Sequence, residues 1–324
     1  MLKNFIILSV FTLFLSHHLF SQNDSTVAFV AYWEVGDTRF FKITKSKKKS
    51  VSGQKDELEE QSYIARLSVI DATDTTYTLT YKFENPLIKA VPILKEAADF
   101  FTDYEEFSIV YQTDEYGDFM GIVNWQEISD MIKEFMEDAV IKLDDGETDV
   151  KAIMSPILEV FTSKDGIESL VAKELNLIHT PFGAEYNEAD TLEYEDLLPN
   201  LFGGDPIPTM GIMYFDSVNY QTNYASFVNS SEINSSAAKK MVTDMMEAMV
   251  EKAGSISEEE RIDRMREIEK VYSDMVMEIR DYNVFEYWYY PGWPKRIKAD
   301  RIVNVANGDI RQEQISSMLI EEVQ

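Results

Sequence analysis

The chain has 324 residues, with 58 acidic against 30 basic side chains, no cysteine and three histidines. The net charge of −28 at pH 7 argues against binding to nucleic acid or to an anionic membrane surface, because both depend on clustered lysine and arginine. Without cysteine there are no disulfides, thiol nucleophiles or thiolate metal sites. Hydrophobic residues make up 45% of the chain, which is typical of a folded protein.

The first residues have the pattern of a secretory signal. Lys3 provides a positive start, residues 5–15 form an apolar run, and Ser21 precedes Gln22 at a cleavage point. The run is too short to cross a bilayer, which takes roughly 20 apolar residues. We therefore predict a signal peptide over residues 1–21, a mature chain without a transmembrane segment, and a secreted or periplasmic location.

Histidine is scarce in the mature chain. His17 and His18 fall in the signal, so His179 is the only remaining imidazole, which excludes a two-histidine zinc site. Because His179 lies in an apolar segment, we predict a structural, hydrogen-bonded histidine. The acidic run 144–149 lacks the glycine position and the bidentate glutamate of a calcium loop. We predict no metal site and no cofactor.

Hydrophobic periodicity predicts hairpins followed by helices in each half of the chain. Alternating apolar residues predict the following strands: 26–33, 38–45, 63–70, 75–83, 107–113, 119–123, 210–214, 220–228, 283–290, 296–305 and 310–320. Asn307-Gly308 is the strongest hairpin signal in the chain. The lysine-rich run 45–49 is interpreted as part of a solvated hairpin tip, and the acidic run 193–196 as solvated surface.

Apolar stripes with capping residues predict the helices 93–101, 124–143, 153–161, 167–175, 236–253 and 257–279. We therefore predict the α+β class, with antiparallel β-hairpins forming a curved sheet and helical blocks packed against it. Residues 22–324 are predicted to form a single domain, with helical insertions at about 125–180 and 236–281.

Several segments resemble those of uncharacterised secreted and envelope proteins of Bacteroidota, and the likeness extends over most of the mature chain. The segments that carry it are 19–22, 35–38, 63–83, Asn124-Trp125-Gln126-Glu127 and Gly292-Trp293-Pro294-Lys295-Arg296. The resemblance implies an exported or envelope location and provides no catalytic motif.

Aromatic residues alternate through 285–290, with Trp293 just beyond. A buried strand explains this pattern, and the alternative is a stacking surface for sugar or another flat ligand, formed by Trp288, Tyr290 and Trp293. We expect Trp288 to be largely buried and Trp293 to be partly exposed in a turn. Met241, Met245 and Met249 lie along one side of a predicted helix, where they are typical of a core or of a hydrophobic cavity.

These features favour a non-enzymatic binding or structural protein of the envelope. Its partner would be a hydrophobic ligand, a glycan or another envelope protein. A carrier of lipid or lipoprotein, with a cavity between sheet and helices, is the second hypothesis. The third is a carboxylate-based glycoside hydrolase, for which the abundant acids identify no catalytic pair. A cavity lined by methionine and aromatic residues would favour the carrier, whereas a filled core with rings exposed at Trp288 or Trp293 would favour an interaction module.

Overall fold

A computed structural model describes residues 25–83, 108–143, 162–171, 173–198, 206–252, 257–273 and 275–323. The predicted signal peptide, the predicted helices 93–101 and 153–161, and the acidic run 144–149 lie outside these ranges. Within them, no helix is long and apolar enough to cross a membrane.

The described residues form thirteen strands and five helices. The strands are β1 (Thr26–Ala28), β2 (Thr38–Val51), β3 (Glu57–Ala72), β4 (Thr76–Phe83), β5 (Ser108–Asp114), β6 (Phe119–Ile122), β7 (Glu185–Asn187), β8 (Thr191–Leu198), β9 (Ile207–Asn219), β10 (Tyr224–Ile233), β11 (Val276–Trp288), β12 (Trp293–Asn307) and β13 (Ile310–Val323). The helices are α1 (Trp125–Leu143), α2 (Lys164–Val171), α3 (Lys173–His179), α4 (Ser235–Lys252) and α5 (Glu258–Ser273).

Eleven strands form one sheet in the order β6-β5-β4-β3-β2-β13-β12-β11-β10-β9-β8, and β1 pairs separately with β7. Every pairing in the large sheet is antiparallel, as predicted. The predicted hairpin at Asn307-Gly308 is confirmed, since it joins β12 to β13. Within this sheet each strand pairs with its neighbours along the chain, except that β13 pairs with β2 and so joins the two halves.

The predicted α+β class is wrong, because the described residues are mostly strand and form one large antiparallel sheet with few helices. Part of the difference lies in residues 276–281, which were assigned to the second helical insertion. Helix α5 ends at Ser273, and β11 begins at Val276. In this segment Met277 and Ile279 alternate with charged residues, a period of two that is typical of a strand.

The lysine-rich run 45–49 belongs to β2, so its assignment to a loop at the hairpin tip is also wrong. Lys47 lies opposite Glu59 in β3, and Lys49 lies opposite Glu57. Opposite charges at paired positions stabilise an antiparallel ladder. Both strands therefore continue to the true tip at residues 52–56.

The main core lies on one face of the sheet, where α3 and the segment 27–33 cover it. The largest fully buried side chains are Trp293, Tyr81, Tyr111, Tyr287, Phe29, Phe41, Phe227 and Phe285. A smaller apolar cluster is formed by Ile207, Ile233 and Ala238, where α4 packs on the sheet. Large aromatic side chains thus fill the space between the sheet and α3.

His179 is buried and hydrogen-bonded, as predicted. Its Nδ1 lies 2.8 Å from the carbonyl oxygen of Gly117, and its Nε2 lies 2.9 Å from the hydroxyl of Tyr111. A carbonyl can only accept, so Nδ1 carries the proton and Nε2 accepts from the tyrosine. Burial lowers the pKa of His179 to about 4, which keeps the imidazole neutral at pH 7.

Candidate functional site

Three turns lie at the same end of the sheet. They are residues 115–118 between β5 and β6, residues 220–223 between β9 and β10, and residues 289–292 between β11 and β12. The antiparallel registers place them there, since Tyr224 pairs with Trp288 and Thr76 pairs with Asp114. The segment 29–34 reaches this end before β2 begins.

Backbone hydrogen bonds connect these pieces into one surface. The amide of Ala31 donates to the carbonyl of Tyr116 over 2.7 Å, and the amide of Tyr32 donates to the carbonyl of Pro291 over 3.2 Å. The amide of Tyr289 donates to the carbonyl of Asn223 over 2.8 Å. The segment 29–34 therefore bridges the first and third turns, and the third turn contacts the second.

Each of these pieces carries an exposed tyrosine. The exposed fractions are 52% for Tyr32, 49% for Tyr116, 47% for Tyr220 and 57% for Tyr290. The rings of Tyr32 and Tyr290 lie 5.1 Å apart between their centroids, at an angle of 49°. We call these four residues the tyrosine surface. Four exposed aromatic rings at one end of the sheet, two of them in contact, make this end a candidate binding site.

Carboxylates accompany the rings. Glu34, two residues after Tyr32, and Glu115, the residue before Tyr116, are both exposed. The hydroxyl of Tyr220 donates to Glu188 over 3.0 Å. Burial, together with the neighbouring charge of Asp114, raises the pKa of Asp118. The tyrosine surface thus combines apolar ring faces with strong hydrogen-bond acceptors.

The turn that carries Tyr290 rests on the aromatic core. Trp293 is 1% exposed and stacks on Trp33 at 4.6 Å between ring centroids. The indole N–H of Trp33 donates to the carbonyl of Gly292 over 3.0 Å. A side chain at Gly292 would meet the carbonyl oxygen of Val30 at 2.6 Å, and its φ of +89° also favours glycine.

The expectation that Trp293 is partly exposed is therefore wrong. Residue 293 follows a turn, but the segment 29–34 covers that turn, and β12 begins at Trp293 with the side chain directed into the core. Of the three aromatic residues proposed from the sequence, only Tyr290 belongs to the tyrosine surface.

Trp288 is half-buried on the opposite face of the sheet from the core, which corrects the expectation that it is largely buried. Strand alternation directs Phe285 and Tyr287 inward and Trp288 outward. Its ring packs edge-on against Tyr224 at 5.6 Å. The ammonium of Lys295 lies 5.5 Å from the Trp288 centroid and 4.9 Å from that of Tyr224. A side chain of the protein thus occupies the ring face that a ligand would need.

The methionines proposed from the sequence lie on α4. Met241 is half-buried and packs against the cluster of Ile207, Ile233 and Ala238. This contact is that of an ordinary core residue. The side chains of Met245 and Met249 lie outside the described part of the structure.

The sequence interpretation missed Tyr32, Tyr116 and Tyr220. Each lies in a turn or an irregular segment, where the chain must run near the surface. A large aromatic residue beside a turn glycine, as in Tyr116-Gly117, was an available signal. Their proximity depends on the bridge formed by residues 29–34, which periodicity does not reveal.

Comparison with known proteins adds no assignment. No protein-family model matches the chain, and no curated protein matches it. Among solved structures, Ail, the attachment invasion locus protein of Yersinia pestis, aligns over 90% of this chain and 100% of its own, with 5% identity and a TM-score of 0.14. The outer membrane protein OprG from Pseudomonas aeruginosa aligns over 89% of this chain and 95% of its own, with 5% identity and a TM-score of 0.15. Scores this low carry no argument about fold or function.

Proposed function

We propose that this protein is a non-enzymatic carbohydrate-binding protein of the envelope or the extracellular space, and that the tyrosine surface binds a neutral glycan. The observation that carries the proposal is the group of four exposed tyrosines at one end of the sheet. Chain connectivity alone would not bring them together, since Tyr32 and Tyr290 lie at opposite ends of the sequence.

The chemistry of the surface fits a sugar. The apolar C–H faces of a pyranose ring pack on aromatic faces, and the sugar hydroxyls donate to carboxylates such as Glu34 and Glu115. A net charge of −28 disfavours an anionic polymer at a surface that already carries carboxylates. A neutral glycan therefore fits better than an acidic one.

The support beneath the rings also favours binding. Tyrosine has only two side-chain torsions, so ordering it costs little conformational entropy. The hydrogen bonds of Ala31 and Tyr32 and the stacked Trp33 and Trp293 hold the backbone of the surface in place. Because the conformation of this surface is fixed before binding, less conformational entropy is lost when a ligand associates with it.

The carrier hypothesis has less support from the described residues. Phe29, Tyr81 and Tyr287 occupy the space between the sheet and α3 that a lipid chain would need. The hydrolase hypothesis requires a pair of carboxyl groups facing each other across a cleft. The core is filled, but the exposed rings are those of the tyrosine surface and not of Trp288 or Trp293, so the support for an interaction module comes from residues other than those named from the sequence.

The glycan proposal predicts the effect of removing individual rings. Mature protein would be screened against immobilised neutral glucans, mannans and xylans, and the best glycan would be titrated by calorimetry. We expect Tyr290→Ala and Tyr32→Ala each to weaken binding about 2- to 10-fold, because one aromatic contact contributes about 0.5–1.5 kcal/mol.

Tyr282→Ala is the matched control. Tyr282 is 42% exposed, but it lies in β11 away from the turns that carry the tyrosine surface. The control should bind like the wild type. Equal losses in Tyr282→Ala and Tyr290→Ala, or binding only to a protein and to no neutral glycan, would contradict the proposal.

The location is a separate prediction. We expect the native protein outside the cytoplasm with its N-terminus at or near Gln22, because residues 1–21 have the charged start, apolar run and cleavage residue of a signal. Mass spectrometry of protein from fractionated cells measures this end. A protein that retains Met1 in the soluble cytoplasmic fraction would exclude the signal.

A further inference from the structure

A second site lies on the face of the sheet that carries the core, roughly 20 Å along β2 from the tyrosine surface. It is a pocket of about 160 Å³ where β2, β3 and β13 pass the start of α3. Nine of its ten lining residues are polar or charged, among them Lys45, Lys47, Glu59, Gln61, Lys173 and Ser316. Its chemistry therefore differs from that of the aromatic core beside it.

Strand alternation determines which side chains face this pocket. Lys45 and Lys47 share the face of the buried Ile43, whereas residues 46 and 60 face the other side of the sheet. In β3, the inward charge is that of Glu59. Lys173 of α3 adds a third lysine around the pocket, and both Lys47 and Lys173 also reach solvent. Against these three lysines stand Glu59 and the buried Glu174, which leaves an excess of one positive charge in a chain of net charge −28.

Glu174 lies beside this pocket and fixes one of the lysines. Its carboxylate forms an ion pair with Lys45 and accepts a hydrogen bond from the hydroxyl of Tyr63 over 2.9 Å. Glu174 is 2% exposed, so its charge is committed to these two partners. The pair holds the Lys45 ammonium in position and leaves it with further N–H donors.

Lys173 has no ion-pair partner among the residues that the structure describes. Lys173 is exposed to solvent, yet partial desolvation beside the sheet and the nearby charge of Arg301 lower its pKa. The charges of Asp281 and Glu174 act in the opposite direction but each less strongly, and Asp281 is itself paired with Arg301 through two contacts of 2.7 Å. The ammonium of Lys173 thus lies near the pocket without a carboxylate of its own.

We propose that this pocket binds the carboxylate or phosphate group of a small ligand between the ammonium groups of Lys173 and Lys45. The hydroxyl of Ser316 and the side-chain amide of Gln61 provide further donors on the same face. Charge-assisted hydrogen bonds to an oxyanion are the strongest that these groups can form. The volume lies below the range of about 300–1,000 Å³ typical of larger ligands. This site is independent of the glycan surface.

The test is calorimetric titration of the mature protein with inorganic phosphate and, separately, with acetate. Chloride keeps the ionic strength constant, so that general screening of the acidic chain does not contribute. We expect Lys173→Gln to weaken binding by at least about tenfold, since a hydrogen bond to a charged group contributes about 1.5–3 kcal/mol. Lys173→Arg, which keeps the charge, should retain most of the affinity.

Lys133→Gln is the matched control, because it makes the same charge change on an exposed face of α1. Binding of phosphate alone identifies a phosphate ligand, binding of acetate alone a carboxylate ligand, and binding of both their shared oxyanion chemistry. Circular dichroism verifies the fold of each variant, and Ser316→Ala replaces Lys173→Gln if the latter unfolds. The proposal is overturned if neither anion binds more tightly than chloride, or if the pocket variants bind like Lys133→Gln.

Discussion

Replacing Trp293 by alanine should lower the free energy of unfolding by about 3–5 kcal/mol, the cost of deleting a large aromatic side chain from a packed core. Trp293 is 1% exposed and stacks on Trp33. Its indole N–H has no acceptor among the described residues, so the loss is one of packing and of the cation–π contact with Arg39, whose guanidinium carbon lies 5.6 Å from the ring centroid. Urea unfolding followed by far-ultraviolet circular dichroism measures the difference without depending on tryptophan fluorescence.

Trp288→Ala is the internal comparison for this prediction. Trp288 is half-buried on the outer face, where it contacts Tyr224 and Lys295. Its loss should cost about 1 kcal/mol, typical of a partly exposed contact. If Trp288→Ala destabilises the protein as much as Trp293→Ala, the assignment of the two rings to different faces is wrong.

Acidification should destabilise the protein through His179. Its pKa is about 4 in the folded state, against 6.5 for an unperturbed histidine. Between these values the unfolded chain binds a proton that the folded chain excludes. The contribution of His179 to the free energy of unfolding is therefore fully present above pH 6.5 and is lost as the pH decreases toward 4. The shift corresponds to about 3 kcal/mol at 1.36 kcal/mol per pKa unit.

Urea unfolding at pH 7.5, 5.5 and 4 measures this contribution. Carboxylates also titrate in this range, so the relevant quantity is the difference from His179→Gln, which cannot titrate. That variant should be less stable than the wild type at pH 7.5, yet lose less stability on acidification. Parallel pH profiles for the two proteins would mean that His179 does not contribute to the pH dependence.

Local sequence signals predicted much of the sheet and one detail of its interior. Asn307-Gly308 specifies a hairpin through the backbone conformations that its turn requires. The apolar neighbours of His179 indicated burial, and a buried imidazole needs hydrogen-bond partners. These features depend on residues close together in the chain.

Features that depend on distant contacts were predicted poorly. Taken alone, the lysines at 47 and 49 indicate a loop. Their place in a strand follows only from the pairing of Lys47 with Glu59 and of Lys49 with Glu57. The sequence around Trp293 indicates an exposed turn. The sequence does not reveal that the segment 29–34 covers this turn. The tyrosine surface requires the same segment, so sequence analysis found Tyr290 without the residues that accompany it.

The pairing of β13 with β2 has a consequence for how the chain folds. It brings Phe40 opposite Val323, whereas the other pairings of the large sheet form between strands that are neighbours in the chain. Closing a contact over such a separation is slow compared with forming hairpins. Until β2 and β13 pair with each other, each strand has one edge without a partner. Such edges are the segments most prone to associate with other molecules. The lysines of β2 place repelling charges on one of these edges during that interval.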